Sequence, residues 1–367
     1  MNVTIIGTGY VGLTTGVALA YLGNRVTCLD VDESKLETLR GGRAPLYEPF
    51  LEEMMALARE NLAYTSSYPE SLPGADIVFI AVGTPSAAGG APDLQYLRAA
   101  AEGVGRHLGD SFTVVINKST VPIGSSNWVE TLVADAFVAA HQEKPNGRYA
   151  VASNPEFLRE GSGLHDTLYP DRIVIGSDNP RAREMLHALY KPIVEQTFAA
   201  PKFLPRPEEL AAVPLITAEL ASAELIKYAA NAFLALKISY INEIAQLAEK
   251  VGADIAQVAK GIGLDSRIGT RFLQAGIGWG GSCFAKDTAA LIATAHEYAL
   301  SMPIVQAARQ MNSMQRGRVV EKLLAELKIL KGRTIGLLGL AFKAHTDDLR
   351  DAPSLDIARQ LLERGAK

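Results

Sequence analysis

Cysteine is scarce in this chain: 367 residues carry only two, Cys28 and Cys283, far apart and outside any C-x-x-C pair. That scarcity argues against a disulfide framework and against a thiolate zinc site, so no metal is expected, and either cysteine that matters does so as a thiol. Aromatics are few, at 7%, and no Lys/Arg cluster interleaves with them, while the net charge is −4. Nucleic acid and anionic membranes are therefore poor candidates for partners. No apolar run is long enough to span a bilayer, and "MNVTIIGTGY" has no basic segment leading into an apolar core with a cleavage site. A cytoplasmic protein is expected. Low-complexity runs are missing too, and with 48% hydrophobic and 21% charged residues the composition is that of an ordinary folded protein. The length favours two or three domains.

What is present is an alternation of short apolar runs and helical periods. "NVTIIGTGYVGLTTGVALAYLGNRVTCLD" reads as strand, glycine turn, helix and strand, ending in Asp30. Further strand-like runs, "ADIVFIAV", "FTVVINKST", "YAVAS" and "DRIVIGS", are separated by helix-like segments. The pattern predicts a parallel, doubly wound sheet covered by helices. Prolines at 201, 205, 207 and 214 then interrupt regular structure, and a proline-free stretch of helical period follows, "AELASAELIKYAANAFLALKISYINEIAQLAEKVG". A helix so long needs packing from flanking domains or from a second subunit. "GRTIGLLGLAF" returns to a strand pattern and "APSLDIARQLLERGA" to a helix, as though a second nucleotide-binding unit were starting. The domains expected are a Rossmann-like unit at 1–200, a linker at 201–214, a central helical domain with the second cysteine at 215–315, and part of a carboxy-terminal unit at 316–367.

Gly7, Gly9 and Gly12 form G-x-G-x-x-G between a strand and a helix, where backbone N–H groups and the helix dipole can hold a pyrophosphate. Asp30, at the end of the next strand, suits a ribose 2′-hydroxyl and repels a 2′-phosphate, which favours NAD over NADP. Loops bearing Gly83 and Thr84, and Ser119 and Thr120, fall where a doubly wound sheet places ligands. Glu156 and Glu160 are four apart and would share a face only in a helical turn. The same spacing relates Lys227 and Asn231 on the long helix, either as a snorkelling surface pair or as donors aimed into a polar pocket. Cys28, in an alternating strand, reads as core. Cys283, in "GWGGSCFAKD", has glycines, Lys286 and an approaching helix start around it, surroundings that favour a thiolate.

"GTGYVG", "VGTP", "STVPIG", "SNPEFLREG", "PDRIVIG", "AELIKYAANAFLALKISYINEIA", "GWGGSCFAKD" and "GLAFKAHTDDLRDAPSL", in this order, resemble the UDP-glucose/GDP-mannose dehydrogenase family along the whole chain. The resemblance implies an α/β protein: a doubly wound Rossmann-like NAD domain, a long central helix with a helical dimerisation domain, and the start of a second Rossmann-like, UDP-binding domain. It implies a four-electron oxidation of a sugar nucleotide's primary alcohol to a carboxylate, with two NAD per turnover and a cysteine thiohemiacetal and thioester on the way. Cys283 would be the nucleophile, Lys227 would stabilise the oxyanion and Asn231 would donate a hydrogen bond. Glu160 would position or deprotonate water, with Thr120 and Asp287 holding the water used in acid–base steps. The cofactor set implied is Gly7, Gly9, Tyr10, Val11, Gly12, Asp30, Lys35, Gly83, Thr84, Thr120, Glu160, Lys286 and Arg350. The sugar nucleotide would meet Glu156, Phe157, Leu158, Arg159, Glu160, Lys227, Asn231, Phe272, Leu273, Gln274, Ala275, Gly276, Gly280 and Lys343. Arg267 would reach a neighbouring subunit's substrate, making the protein at least a homodimer built on the long helix. The wording of "PDRIVIG" and of the long helix is nearest the UDP-glucose branch, with GDP-mannose or UDP-N-acetylmannosamine oxidation, oxidation stopping at the aldehyde, or a non-catalytic binding module as the alternatives. Two departures stand out: Ala285 replaces the family's usual proline, and the family continues through further strands beyond the position of Lys367.

Overall fold

A computed structural model describes residues 1–85 and 91–367. These fall into two compact units that divide between Lys227 and Tyr228, inside one continuous helix, Leu220–Val251.

The first unit is built on an eight-stranded sheet: β1 Asn2–Ile6, β2 Arg25–Leu29, β3 Leu62–Thr65, β4 Ile77–Ile80, β5 Thr113–Asn117, β6 Tyr149–Ser153, β7 Ile173–Gly176 and β8 Leu215–Ala218, in the order β3-β2-β1-β4-β5-β6-β7-β8. Strands β1 to β6 pair in parallel. The central strands β1, β4, β5 and β6 are largely apolar and buried because both faces are covered. Val3, Ile5, Cys28, Phe79, Val114 and Ile116 point to one face, with Leu19 and Leu186. Ile6, Leu29, Val78, Ile80 and Val115 point to the other, with Val104 and Val133. Order reverses about β1, so the first strand–helix turn sits at the switch point where such sheets bind ligands.

One expectation fails here. β7 meets β6 antiparallel, through the single pair Ser153 and Gly176, and β8 follows β7 in parallel. Side chains supplement that short ladder: Asn154 Nδ2 donates to Val174 O at 2.7 Å and Ser177 Oγ to Val151 O at 3.0 Å. Strands β3 and β8 are short and partly exposed, and neither carries a distinctive run in the sequence.

The second unit is helical among the described residues: the long helix from Tyr228 onward, then Ile255–Gly263, Ser282–Glu297, Pro303–Leu327 and Pro353–Glu363. Tyr228 and Ala232 pack on Ala290 and Leu291, and Val320 on Ile357 and Leu361. The strand pattern at 331–341 forms no strand among the described residues. A strand needs a ladder, and here the bonds are Gly332 N–H to Gly365 O at 2.7 Å, and Arg333 O and Ile335 N–H to the backbone of Lys367 at 2.7 and 2.8 Å.

Candidate active site

In the first unit the fingerprint turn is held by its glycines. Gly7 has φ +99°, and a Cβ there would sit 2.7 Å from Ala81 O; one on Gly12 would sit 1.9 Å from Gly7 O. Gly9 differs: it faces open space, and it leads the helix Tyr10–Tyr21 without any side-chain cap. The unfilled first turn fits a dinucleotide diphosphate. Asp30 lies at the same edge, where Oδ2 accepts from Thr8 N–H and Oγ at 2.7 and 2.6 Å and Oδ1 from Asp32 N–H at 3.0 Å. Burial would raise its pKa, but those bonds hold the carboxyl below its usual range, so it presents negative charge. Lys35 is half-buried, with Nζ 4.0 Å from Asp32 Oδ2. Val11 is half-buried in the first turn. Thr84 Oγ donates to Thr120 O at 2.9 Å, bringing two of the expected loop residues together next to Gly83.

Tyr10 ties this turn to the "EFLREG" loop. Its hydroxyl donates to Glu48 Oε2 at 2.6 Å and accepts from Gly163 N–H at 3.0 Å, and Glu48 also accepts from Gly161 and Leu164 N–H at 2.9 and 3.2 Å. That loop is irregular, so Glu156 and Glu160 do not stack as a helical pair. Glu156 is buried, with Oε1 2.8 Å from Lys227 Nζ and Oε2 2.7 Å from Leu158 N–H. Burial pushes its pKa up; Lys227, the Leu158 amide and Lys118 outweigh that and hold it ionised. Arg172 and Lys227 both approach the Phe157 ring, 3.7 and 5.5 Å from its centroid. Glu160 is half-buried beside Gly161. Arg159 turns away to grip Asp166, at 2.9 and 2.6 Å.

Three charged or polar residues of this unit escaped the sequence reading. Lys118 is buried, donates to Asn154 Oδ1 at 2.9 Å and is pushed down to about 8 by burial, with Glu156 opposing and Lys227 reinforcing the shift. Asn154 Oδ1 also accepts from Tyr190 at 2.5 Å. Glu48 carries no motif, whereas Lys118 immediately precedes "STVPIG", a position that could have flagged it.

In the second unit Cys283 lies in the first turn of the helix Ser282–Glu297, behind Gly281, which offers no side-chain cap. Its thiol is half-buried and 3.8 Å from Ser282 Oγ. Cys28, by contrast, is fully buried, as the strand pattern implied. One turn further along, Asp287 is buried, with Oδ2 2.6 Å from Asn231 Nδ2 and Oδ1 2.7 Å from Lys286 Nζ. So three expected residues, Asn231, Lys286 and Asp287, do come together. Phe272 and Phe284 meet edge to face at 6.3 Å. Leu273 and Gly280 are buried, while Gln274, Ala275 and Gly276 are exposed; Gly276 N–H donates to Asn242 Oδ1 at 2.8 Å. Arg267 folds onto Asp265 and Arg350 onto Asp348, both at the surface. Lys343 is exposed, 5.7 Å from the centroid of the Phe342 ring. Among the described residues no group of three or more His, Cys, Asp or Glu could hold a metal ion, and no helix is long and apolar enough to cross a membrane.

Comparison with known proteins agrees with this chemistry. Residues 1–194 match the NAD binding domain of the UDP-glucose/GDP-mannose dehydrogenase family, 221–314 its central domain and 336–367 its UDP binding domain. The chain is 46% identical to UDP-glucose 6-dehydrogenase TuaD of Bacillus subtilis, over 100% of this chain and 74% of that protein. A UDP-glucose dehydrogenase structure from Pyrobaculum islandicum superposes with TM-score 0.88 at 43% identity, covering 100% of this chain and 80% of the other. The GDP-mannose dehydrogenase of Pseudomonas aeruginosa is more distant, with TM-score 0.64 and 29% identity over 100% and 80%. Turn, acid and cysteine helix thus have a common explanation: the chain belongs to the UDP-glucose/GDP-mannose dehydrogenase family of NAD-dependent oxidoreductases.

Proposed function

We propose that this chain oxidises UDP-glucose to UDP-glucuronate, with Cys283 as the covalent nucleophile. The observation that carries the reading is the placement of Cys283 in an uncapped, glycine-led first helical turn, in the same unit as the Asn231–Asp287–Lys286 cluster. NAD, when bound, would supply the hydride acceptor, one hydride to each NAD, so that two NAD serve the four-electron oxidation. The residues that would hold it are the Gly7–Gly12 turn, Asp30, Lys35, Gly83, Thr84, Thr120, Glu160, Lys286 and Arg350.

The protein's own part is to capture and release the carbonyl. Once the alcohol has been oxidised to the aldehyde, the Cys283 thiolate adds to the carbonyl carbon, a C–S bond forms and the oxygen takes a proton. The second oxidation leaves a thioester. Water then attacks, the C–S bond breaks and the thiolate returns. Lys227 serves the developing oxyanion and Asn231 adds a donor, while Glu160 positions or deprotonates water and Thr120 and Asp287 hold the water used in acid–base steps. Glu156 to Glu160, Phe272 to Gly276, Gly280 and Lys343 supply the sugar-nucleotide surface.

We assign residues 1–200 to NAD binding, 201–214 to a linker, 215–315 to dimerisation and the cysteine, and 316–367 to the UDP end. Phe233, Tyr240 and Leu247 recur every seven residues on the long helix and are 61, 49 and 61% exposed, an apolar stripe that supports a homodimer. Arg267, 87% exposed, is available to a second copy. We place the enzyme in the cytoplasm. UDP-glucose is favoured over GDP-mannose because the relatives named for it are the more similar.

The test is the amount of NADH formed per UDP-glucose, followed at 340 nm: two are expected. One NADH per sugar rejects the thioester route, and turnover of GDP-mannose without UDP-glucose rejects the substrate.

A further inference from the structure

The turn that delivers Cys283 is gripped by two polar side chains that lie one turn apart on the helix Pro303–Leu327 and are buried rather than exposed. Asn312 bonds both backbone groups of Trp279, Oδ1 accepting from its N–H at 2.7 Å and Nδ2 donating to its carbonyl at 2.9 Å. Arg316 Nη2 donates to the same carbonyl at 3.0 Å and reaches Asp351 O at 3.3 Å, and Nη1 bonds Asp351 Oδ1 at 2.9 Å and the Asp356 carboxylate. The indole is fixed as well: Nε1 donates to Ser239 Oγ at 3.0 Å, and the ring meets Phe284, the neighbour of Cys283, edge-on at 6.0 Å.

Close approach leaves no slack between these anchors and the thiol. A Cβ on Gly278, at φ +106°, would sit 2.7 Å from Asn312 Oδ1, and one on Gly280 would sit 2.4 Å from Asp351 O. Gly281 N–H donates to Arg350 O at 3.0 Å. Three residues, Gly280, Gly281 and Ser282, separate Trp279 from Cys283, and two of the three are glycines. Left alone, such a segment would lose more conformational entropy on ordering than any other.

We propose that Asn312 and Arg316 are positioning residues for Cys283, clamping Trp279 and the 350–353 segment together so that the thiol is presented in a single geometry at its helix start. This rests on reading Cys283 as the nucleophile. Neither side chain needs to touch substrate; both act through Trp279.

The experiment uses the full chain with Arg316→Lys, which keeps the charge but loses the fork, and Asn312→Ala, which loses both bonds to Trp279. Three quantities are read at pH 8: kcat, KM for NAD, and the rate of iodoacetamide alkylation of Cys283 located by peptide mapping. The clamp predicts folded variants with kcat at least tenfold lower, KM for NAD within twofold, and alkylation at least fivefold slower. A kcat and an alkylation rate within twofold of the parent overturn it. So does faster alkylation or failure to fold, since either marks a merely structural role. Cys283→Ser, assayed alongside, separates the two claims. If that variant still forms two NADH per sugar, the nucleophile reading is wrong, whereas the alkylation rates judge the clamp independently.

Discussion

Lys227 Nζ stands 2.8 Å from Glu156 Oε1, with only 5 and 7% of the two side chains exposed. Removing one partner of such a pair leaves a buried charge uncompensated, which costs about 3–5 kcal/mol. Lys227→Met should therefore lower the urea-unfolding midpoint as well as kcat. Because the folded Glu156 pKa is depressed, the pair's contribution is present above the unfolded carboxylate pKa and is lost as pH falls through the folded value. The deficit of the variant should shrink on acidification; a deficit independent of pH would count against the ion pair as its source.

Lys118 gives a signature at the opposite end of the scale. Its folded pKa, about 8, lies below the unfolded 10.5, so the native state binds fewer protons between those values. Stability from this group should rise as pH climbs from about 8 to about 10.5, by on the order of 2 kcal/mol. Urea unfolding at pH 8 and pH 10 measures it. Lys118→Met should lack the rise, and an identical rise in the variant refutes the assignment.

The two thiols should differ sharply in reactivity. Burial, with Asp30 adding to it, pushes Cys28 up to about 12, so at pH 8 only about 1 in 10⁴ of it is thiolate. Iodoacetamide should label Cys283 and leave Cys28 untouched on peptide mapping, with activity lost in step. Cys283→Ser should form no UDP-glucuronate yet bind NAD as the parent does. Full activity after complete labelling of Cys283 would show that the thiol is dispensable.

Asp30→Ala should raise KM for NAD by about 10–100-fold, the worth of one or two hydrogen bonds to a charged group. KM for NADP should fall, because the repulsion goes with the carboxylate. Initial rates with both cofactors check this. An unchanged ratio of the two KM values would mean that Asp30 serves only to bind Thr8 and Asp32.

The parts of this protein legible in its sequence are those whose signal is local. The first strand, turn and helix announce themselves through Gly7, Gly9, Gly12 and the period of their neighbours, and Asp30 is found by its distance from them. The long helix shows in thirty residues of uninterrupted period. Long-range polar pairs leave no such trace. Glu156 and Lys227 are 71 residues apart, and nothing around Glu156 says that its charge is buried. Asn312 and Arg316 look like the outer face of a helix, because a polar residue on an amphipathic period normally is. The strand pattern at 331–341 is real as a pattern, but a ladder depends on a partner that periodicity does not reveal. The reversal at β7 is hidden for the same reason, since direction is set by where a chain returns and not by what the strand contains.

Among the described residues three helices begin directly behind a glycine: Tyr10–Tyr21, Ser125–His141 and Ser282–Glu297. The middle one is already satisfied, because Glu224 accepts from Gly124 N–H at 2.6 Å and from Ser126 N–H and Oγ at 2.8 and 2.7 Å. An internal carboxylate thus occupies the place where an outside anion would otherwise settle. The two others carry no side-chain cap, and each unit has one of them. Of these two, one follows the Gly7–Gly12 turn and the other carries Cys283 in its first turn. Glu224 thus supplies, from within the protein itself, the negative charge that the helix end beside "STVPIG" attracts.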